Sequence, residues 1–468
     1  FNDYLALQKG DVIEKIHASY LEAGADVIET CTFRANRLTM AEYGLESKVG
    51  EINRAAAGLA RRAAEARSTP TRRRFVAGSI GPSGRLPSSS DPELSKTSFA
   101  ELADVFAEQA EALIEGDCDL LLIETSQDLL EVKAAIMGVQ DAFAKTGRKV
   151  PLQVQVTLDT NGRMLLGTDI SAVLTTLERM SVDVIGINCS TGPDHMRAPL
   201  AYLGEHSSLP LSCLPNAGLP ENVDGRAIYP LRPDQFAREM ADYVERFGLN
   251  AVGGCCGTTP EHIRALVERL GARKPRTRTL RPQALVSSGI STAALVQSPP
   301  PMLIGERLNA QGSKKMKEML LSGDYDGIAA LGREQIEGGA HTLDICVAMT
   351  ERRDEANLMG RVVKKLSQTV GAPLVIDTTE AEVLEVALEA SPGRVIVNAV
   401  NMENGRQRLD AMLPLVRDYG AATMALTIDE QGMARTAERK LEIARKIYDI
   451  ATREYALAPD ALIFDALT

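Results

Sequence analysis

The residues of this chain best suited to chemistry are cysteines at apparent strand ends. Cys255 and Cys256 stand side by side in GGCCGTTPEHI at 253–263, and Cys189 stands in GINCSTGPDH at 186–195. Adjacent cysteines in extended chain cannot easily bridge each other, because a disulfide needs Cα positions and side-chain vectors that neighbours lack. Alone, the pair reads more readily as small core residues. A third cysteine at the end of another strand reverses that reading. In a barrel of βα units both places lie on the carboxyl face, where sites are built. Three thiolates there fit a catalytic zinc centre, with three protein ligands and an open fourth position. A structural zinc site closes with four ligands, commonly on paired CxxC hooks, and the chain has none. Zinc held by three thiolates is a modest Lewis acid suited to another soft ligand. A free thiol has a pKa of about 8.5, and a coordinated one is deprotonated outright. The chemistry implied is activation of a substrate thiol as a nucleophile rather than hydrolysis.

The other cysteines and the histidines carry less. Cys118 and Cys213 read as core, Cys31 as a packed strand end, and Cys346 belongs to the second half of the chain. His262 sits in the helix after the cysteine pair and is expected to face away. His17, His195, His206 and His341 lack ligand spacing. Glu124 ends the run LLLIE, and three further polar residues close strands: Asp377 in VID, Asn398 in VNA and Asp465 in IFD.

Short β-branched runs alternate with amphipathic helical stretches, the pattern of repeated βα units and a parallel sheet. Strands are expected at 26–30, 74–79, 120–124, 151–157, 182–188, 209–214 and 250–254, with a helix over 98–116. Residues 273–300 lose periodicity and gain Pro and Ser, reading as a linker. A second series is expected at 301–306, 341–346, 373–377, 394–400, 423–428 and 461–465. The expected fold is α/β, two consecutive (βα)8 TIM barrels over 1–272 and 301–468. Both are expected to be incomplete, the first lacking its opening strand and the second its last strands.

Composition narrows the partners. The 468 residues are 44% hydrophobic and 25% charged, an ordinary globular balance. Lys plus Arg number 52 against 63 Asp plus Glu, a net charge of −11, which argues against nucleic acid as the main partner. Aromatics are 4% with no Trp, poor material for base stacking. The basic runs at 71–75 and 273–281 read as a solvated loop and a linker. No apolar run reaches membrane-spanning length and no signal-peptide pattern opens the chain. Seven scattered cysteines form no disulfide framework, so a reducing cytoplasm is expected.

Several motifs resemble known families. GADVIETCTFRANR, LLLIETSQDLLEVKAA, GINCSTGPD, PNAGLP and GGCCGTTPEHI resemble the zinc-dependent homocysteine methyltransferases across 1–272. LIGERLNAQGSKKMKE, LDIC, VIDTTEAEVLEVAL, VIVNAV and LIFDALT resemble the pterin-binding barrel of methyltetrahydrofolate-dependent methyltransferases across 301–468. In this order the two resemble the N-terminal half of the cobalamin-dependent methionine synthases. The resemblance implies that Cys189, Cys255 and Cys256 hold Zn2+, that Glu124 holds the homocysteine amino group, and that Asn216 of PNAG orients the site or fills the open position. That family usually has Asn where Cys31 stands. It also implies that Asp377, Asn398 and Asp465, with Asp344 and Asn309, face the pterin, and that the loop Asn309, Gln311, Gly312 and Ser313 contacts the folate. A carboxylate can accept paired N–H donors of the fused ring, which fixes orientation well. The implied reaction passes a methyl group from 5-methyltetrahydrofolate to a cobalamin and on to homocysteine. The cobalamin would be carried by a domain outside this chain or by a separate protein. Two alternatives remain at this stage: a second barrel of the flavin-dependent folate reductase type, and a structural or redox-sensing thiol protein.

Overall fold

The computed structural model describes residues 1–467. They form two compact units, the first of 1–87, 91–170 and 181–282, the second of 88–90, 171–180 and the chain from 283 onward.

The first unit holds a seven-stranded parallel sheet whose strands pair in chain order: β1 (Val27–Glu29), β2 (Phe75–Ile80), β3 (Leu120–Ser126), β4 (Leu152–Val156), β5 (Val184–Asn188), β6 (Leu211–Leu214) and β7 (Ala251–Val252). All seven expected strands are present. They are buried because helices cover parallel sheets, and β4 is buried at each of its five positions. The helix Phe99–Glu115 is set by a reciprocal capping box between Ser98 and Glu101. Its Leu102, Val105, Phe106 and Leu113 are each 1% exposed or less. Each such side chain contributes about 1.5–3 kcal/mol of burial. The next helix, Leu129–Thr146, starts at Asp128, whose carboxylate accepts from Leu130 N, and stops at Gly147 in the left-handed region. Gly138 lets these two helices touch, since a Cβ there would lie 2.2 Å from the Ala103 carbonyl.

The second unit repeats the plan with six parallel strands in chain order: β8 (Ile304–Asn309), β9 (Thr342–Cys346), β10 (Leu374–Asp377), β11 (Ile396–Val400), β12 (Ala422–Leu426) and β13 (Leu462–Asp465). The fold is therefore α/β, two consecutive TIM-barrel-like domains. β8 begins three residues later than expected from 301, because Pro299, Pro300 and Pro301 have no N–H to give a ladder.

Part of the stretch read as a linker is ordered. Leu285–Ser287 and Thr292–Ala294 pair as an antiparallel hairpin. Val286 is fully buried with Val375, Ile396 and Ala422, which lie near the amino ends of their strands. The hairpin thus closes the lower end of this sheet and leaves the carboxyl end for a site. Two more hairpins, Glu221–Val223 with Arg226–Ile228 and Ile428–Asp429 with Gly432–Met433, were also unexpected.

Three strands slip register: β3 between Ile123 and Ser126, β8 between Gly305 and Leu308, and β11 between Val397 and Val400. Such bulges re-aim side chains. Glu124 and Asn398 lie inside two of them. Among the described residues no helix is long and apolar enough to cross a membrane.

Candidate functional sites

Cys189 follows β5 directly, and the Cys255–Cys256 turn follows β7 after two glycines. Cys189 and Ser190 both hold positive φ, 60° and 63°, a conformation costly for residues with a Cβ and found where a site imposes it. Cys189 N donates to Leu214 O at 3.0 Å and Cys255 N to Pro215 O at 2.8 Å, so both turns hang on the end of β6. Asn216, 3% exposed, completes the mount: its Oδ1 accepts from Cys256 N at 3.1 Å. Thr258 Oγ1 donates to Cys255 O at 2.7 Å, and Gly254 is required because a Cβ would meet Thr258 at 2.2 Å.

The result is a tripod. The three Sγ atoms of Cys189, Cys255 and Cys256 lie within 4.8 Å of one another, and Cys189 Sγ is 3.8 Å from Cys256 Sγ. Tetrahedral zinc with Zn–S bonds of about 2.3 Å separates its sulfurs by about 3.8 Å, so the donor set fits that ion. Hydrogen bonds from Cys189 and then Cys255 draw the Cys256 pKa well down. Bonds with Cys189 and then Cys256 push Cys255 up, and burial adds to it.

Beside the tripod lies a buried polar layer. Glu124, 5% exposed, accepts from Ser79 Oγ at 2.5 Å and from Asn188 Nδ2 at 3.1 Å. Asn188 Nδ2 also lies 2.8 Å from Thr125 Oγ1 and 4.0 Å from Cys255 Sγ, joining the carboxylate to the thiols. Burial raises the Glu124 pKa to about 7, opposed by the Ser79 hydroxyl and reinforced by charge on Cys256. Burial, then the Glu124 charge, pushes Glu29 at the end of β1 well above the usual carboxylate range. Among the described residues no cation pairs with either carboxylate. Glu29, Ser79 and Asn188 were missed in sequence. Only their places at strand ends could have marked them.

The remaining cysteines stay outside the tripod. Cys31 approaches Asn2 O at 3.8 Å and Asp3 Oδ1 at 3.9 Å, and burial lifts its pKa to about 11. Cys118 and Cys213 are fully buried. His262 spends both ring nitrogens, Nδ1 accepting from Thr259 N at 3.1 Å and Nε2 reaching Leu231 O at 2.9 Å.

In the second unit Asn309 Nδ2 lies 3.2 Å from Asp344 Oδ2 and 3.0 Å from Asp377 Oδ2, and Asn398 Nδ2 lies 3.3 Å from Asp344 Oδ1. Four of the five strand residues assigned to a pterin thus form one network. Burial and the Asp377 charge raise Asp344 to about 6, opposed by Asn398 and Asn309. Burial raises Asp377 as well, against the Asn309 bond and one from Cys346. A cavity of about 580 Å³ is lined by Glu306, Arg307, Asn309, Gln311, Gly312 and Ser313. Gln311 N donates to Asn309 Oδ1, and the Ser313 hydroxyl caps the helix Lys314–Ser322 through Met316 N. Asp465 stands apart, exposed on the edge strand, its Oδ1 accepting from Leu467 N at 2.8 Å. Glu306 and Cys346 were not singled out in sequence.

Residues 1–270 match the family described as homocysteine S-methyltransferase, and residues 305–468 that described as pterin binding enzyme. Two curated relatives, the methionine synthases of Mycobacterium leprae and Mycobacterium tuberculosis, are each 39% identical along the whole of this chain, which spans 39% of their length. Among solved structures, the metallated homocysteine methyltransferase MmuM from Escherichia coli is 26% identical, covering 57% of this chain and 86% of its own at a TM-score of 0.46.

Proposed function

Since the chain belongs to the homocysteine S-methyltransferase family, with a pterin-binding enzyme domain behind it, we propose that it moves a methyl group from 5-methyltetrahydrofolate, by way of a cobalamin, to homocysteine. The family places the chain among methyltransferases. The observation that carries the finer reading is the convergence of three Sγ atoms within 4.8 Å on the carboxyl face of the first sheet.

Cys189, Cys255 and Cys256 would hold Zn2+, whose chemistry there is to keep a substrate thiol deprotonated. Asn216 fixes the backbone of Cys256 and so the direction of its sulfur. Glu124 and Glu29 offer two carboxylates with no cation between them, a place for the ammonium of an amino-acid substrate. A substrate ammonium would relieve the buried charge that raises both pKa values. Asn188 ties that subsite to Cys255 and spaces amino group from sulfur.

In the second unit Asp344 and Asp377 would accept the paired N–H donors of the pterin, while Asn309 and Asn398 hold the carboxylates in place. Gln311 and Gly312 of the loop after β8 line the adjoining cavity. The cobalamin, on this reading, is carried by a separate domain or protein.

A partial-reaction assay with supplied cobalamin tests this. Cys255→Ala should abolish methylation of homocysteine and spare methyl transfer from methyltetrahydrofolate. Loss of both, or of neither, would contradict two separable sites.

A further inference from the structure

Between Gly305 and Leu308 the chain spends one residue more on β8 than on β9, since Gly305 pairs with Leu343 and Leu308 with Ile345. Side chains alternate along a strand, so one extra residue reverses the face that every later side chain takes. A Cβ at Gly305 would lie 2.8 Å from Gln335 Oε1 and 3.1 Å from Leu343 Cδ2, on the side covered by the helix Tyr325–Glu337. Leu308, fully buried, shares that side through its pair with Ile345. Asn309 therefore takes the opposite face. There its Nδ2 lies 3.2 Å from Asp344 Oδ2 and 3.0 Å from Asp377 Oδ2. In an unbroken strand positions 305, 307 and 309 would share one face, and Asn309 would turn from the aspartates toward the helices.

A bulge leaves its extra residue without a ladder partner. Arg307 lies inside this one, and its N–H donates to Gln335 Oε1 at 2.8 Å. Gln335 is 8% exposed, and its Nε2 donates to Leu331 O at 3.3 Å within its own helix. The neighbouring ion pair of Arg307 with Glu334 is about half exposed at both ends and adds little. We infer that Gln335 is a positioning residue of the folate site: by accepting from Arg307 N it holds the bulge, and so keeps Asn309 on the face of Asp344 and Asp377. This rests on the folate reading of the second unit. Gln335 stands in the helix layer, outside the lining of the cavity beside Asn309, and acts through the backbone of β8.

The test is the Kd of 5-methyltetrahydrofolate, by titration calorimetry on the full 468-residue chain. Gln335→Met keeps the volume and removes the acceptor, and should raise Kd about 10-fold through the lost hold on Asn309. Gln335→Glu keeps an oxygen there and should bind like the native chain. In an Asn309→Ala background, adding Gln335→Met should change Kd no further, because both act on one interaction. A merely structural role would instead make the two losses add. Gly305→Ala, whose Cβ must displace the same amide, should weaken binding as well, and it decides the matter where Gln335→Met does not fold. An unchanged Kd in the folded Gln335→Met chain, additive losses in the double variant, or an equal loss in Gln335→Glu would overturn the proposal and leave the folate reading standing. A native chain that does not bind 5-methyltetrahydrofolate would sink both.

Discussion

The two sites sit on the same kind of scaffold, the carboxyl ends of parallel strands, yet they handle buried charge in opposite ways. In the second unit each aspartate of the network is held by an amide: Asn309 serves both Asp344 and Asp377, and Asn398 serves Asp344. The network is satisfied before any ligand arrives and presents a preformed hydrogen-bonding face. The first unit gathers three sulfurs and two carboxylates; Glu124 is held by Ser79 and Asn188, and among the described residues no cation pairs with either carboxylate. Cys189, Ser190 and Thr125 stand there with positive φ. On the proposed reading, a site of that sort would be completed by what it binds: a metal for the sulfurs and an ammonium for the carboxylates. One region is ready to recognise, the other ready to be filled.

The sharpest way to break this contrast is to remove one sulfur. Cys256→Ala should take metal content, measured by plasma mass spectrometry, from about one ion per chain to near none. Methyltetrahydrofolate binding should be untouched. A variant that keeps its zinc would mean the tripod is ordinary core packing.

A smaller effect is expected from the other side. Asp377→Asn removes a charged acceptor and should weaken methyltetrahydrofolate binding by about 10–100-fold, from a charged hydrogen bond worth about 1.5–3 kcal/mol. Titration calorimetry would measure it, with zinc content as the internal control. Unchanged affinity would remove Asp377 from the pterin site.

The last is a pH effect on the folate-free chain. The folded-state pKa of Asp344 is raised from 3.8 to about 6, so the folded chain binds this proton more tightly than the unfolded chain does. Stability from this group is therefore full below about 4 and is lost as pH rises through about 6, on the order of 3 kcal/mol. Denaturant unfolding at a series of pH values should show that slope, and Asp344→Asn should flatten it. A slope of opposite sign would contradict the burial assigned to Asp344.

What could be read in sequence follows the same contrast. The strands were legible because β-branched runs and helical periodicity alternate throughout. Cys189, Cys255 and Cys256 stood out because cysteines are few and these follow strands. Glu29 did not, since a carboxylate at a strand end reads as a solvated terminus until Glu124 is seen beside it. The hairpin at Leu285–Ser287 lay in a Pro- and Ser-rich stretch, and its three-residue strands are too short for alternation to show. The Asp224–Gly225 turn was the one local signal for the hairpin Glu221–Val223/Arg226–Ile228. The resemblance sets Asp465 among the pterin residues at a strand end, and in the structure its Oδ1 accepts from Leu467 N.

The central claim is that three cysteines form a metal tripod with one open corner for a substrate sulfur. X-ray absorption at the zinc edge, on the full chain with and without homocysteine, tests it most directly. The account predicts three sulfur neighbours at rest and four when homocysteine is added. A count that stays at three with homocysteine bound, or a resting site with fewer than three, would contradict it.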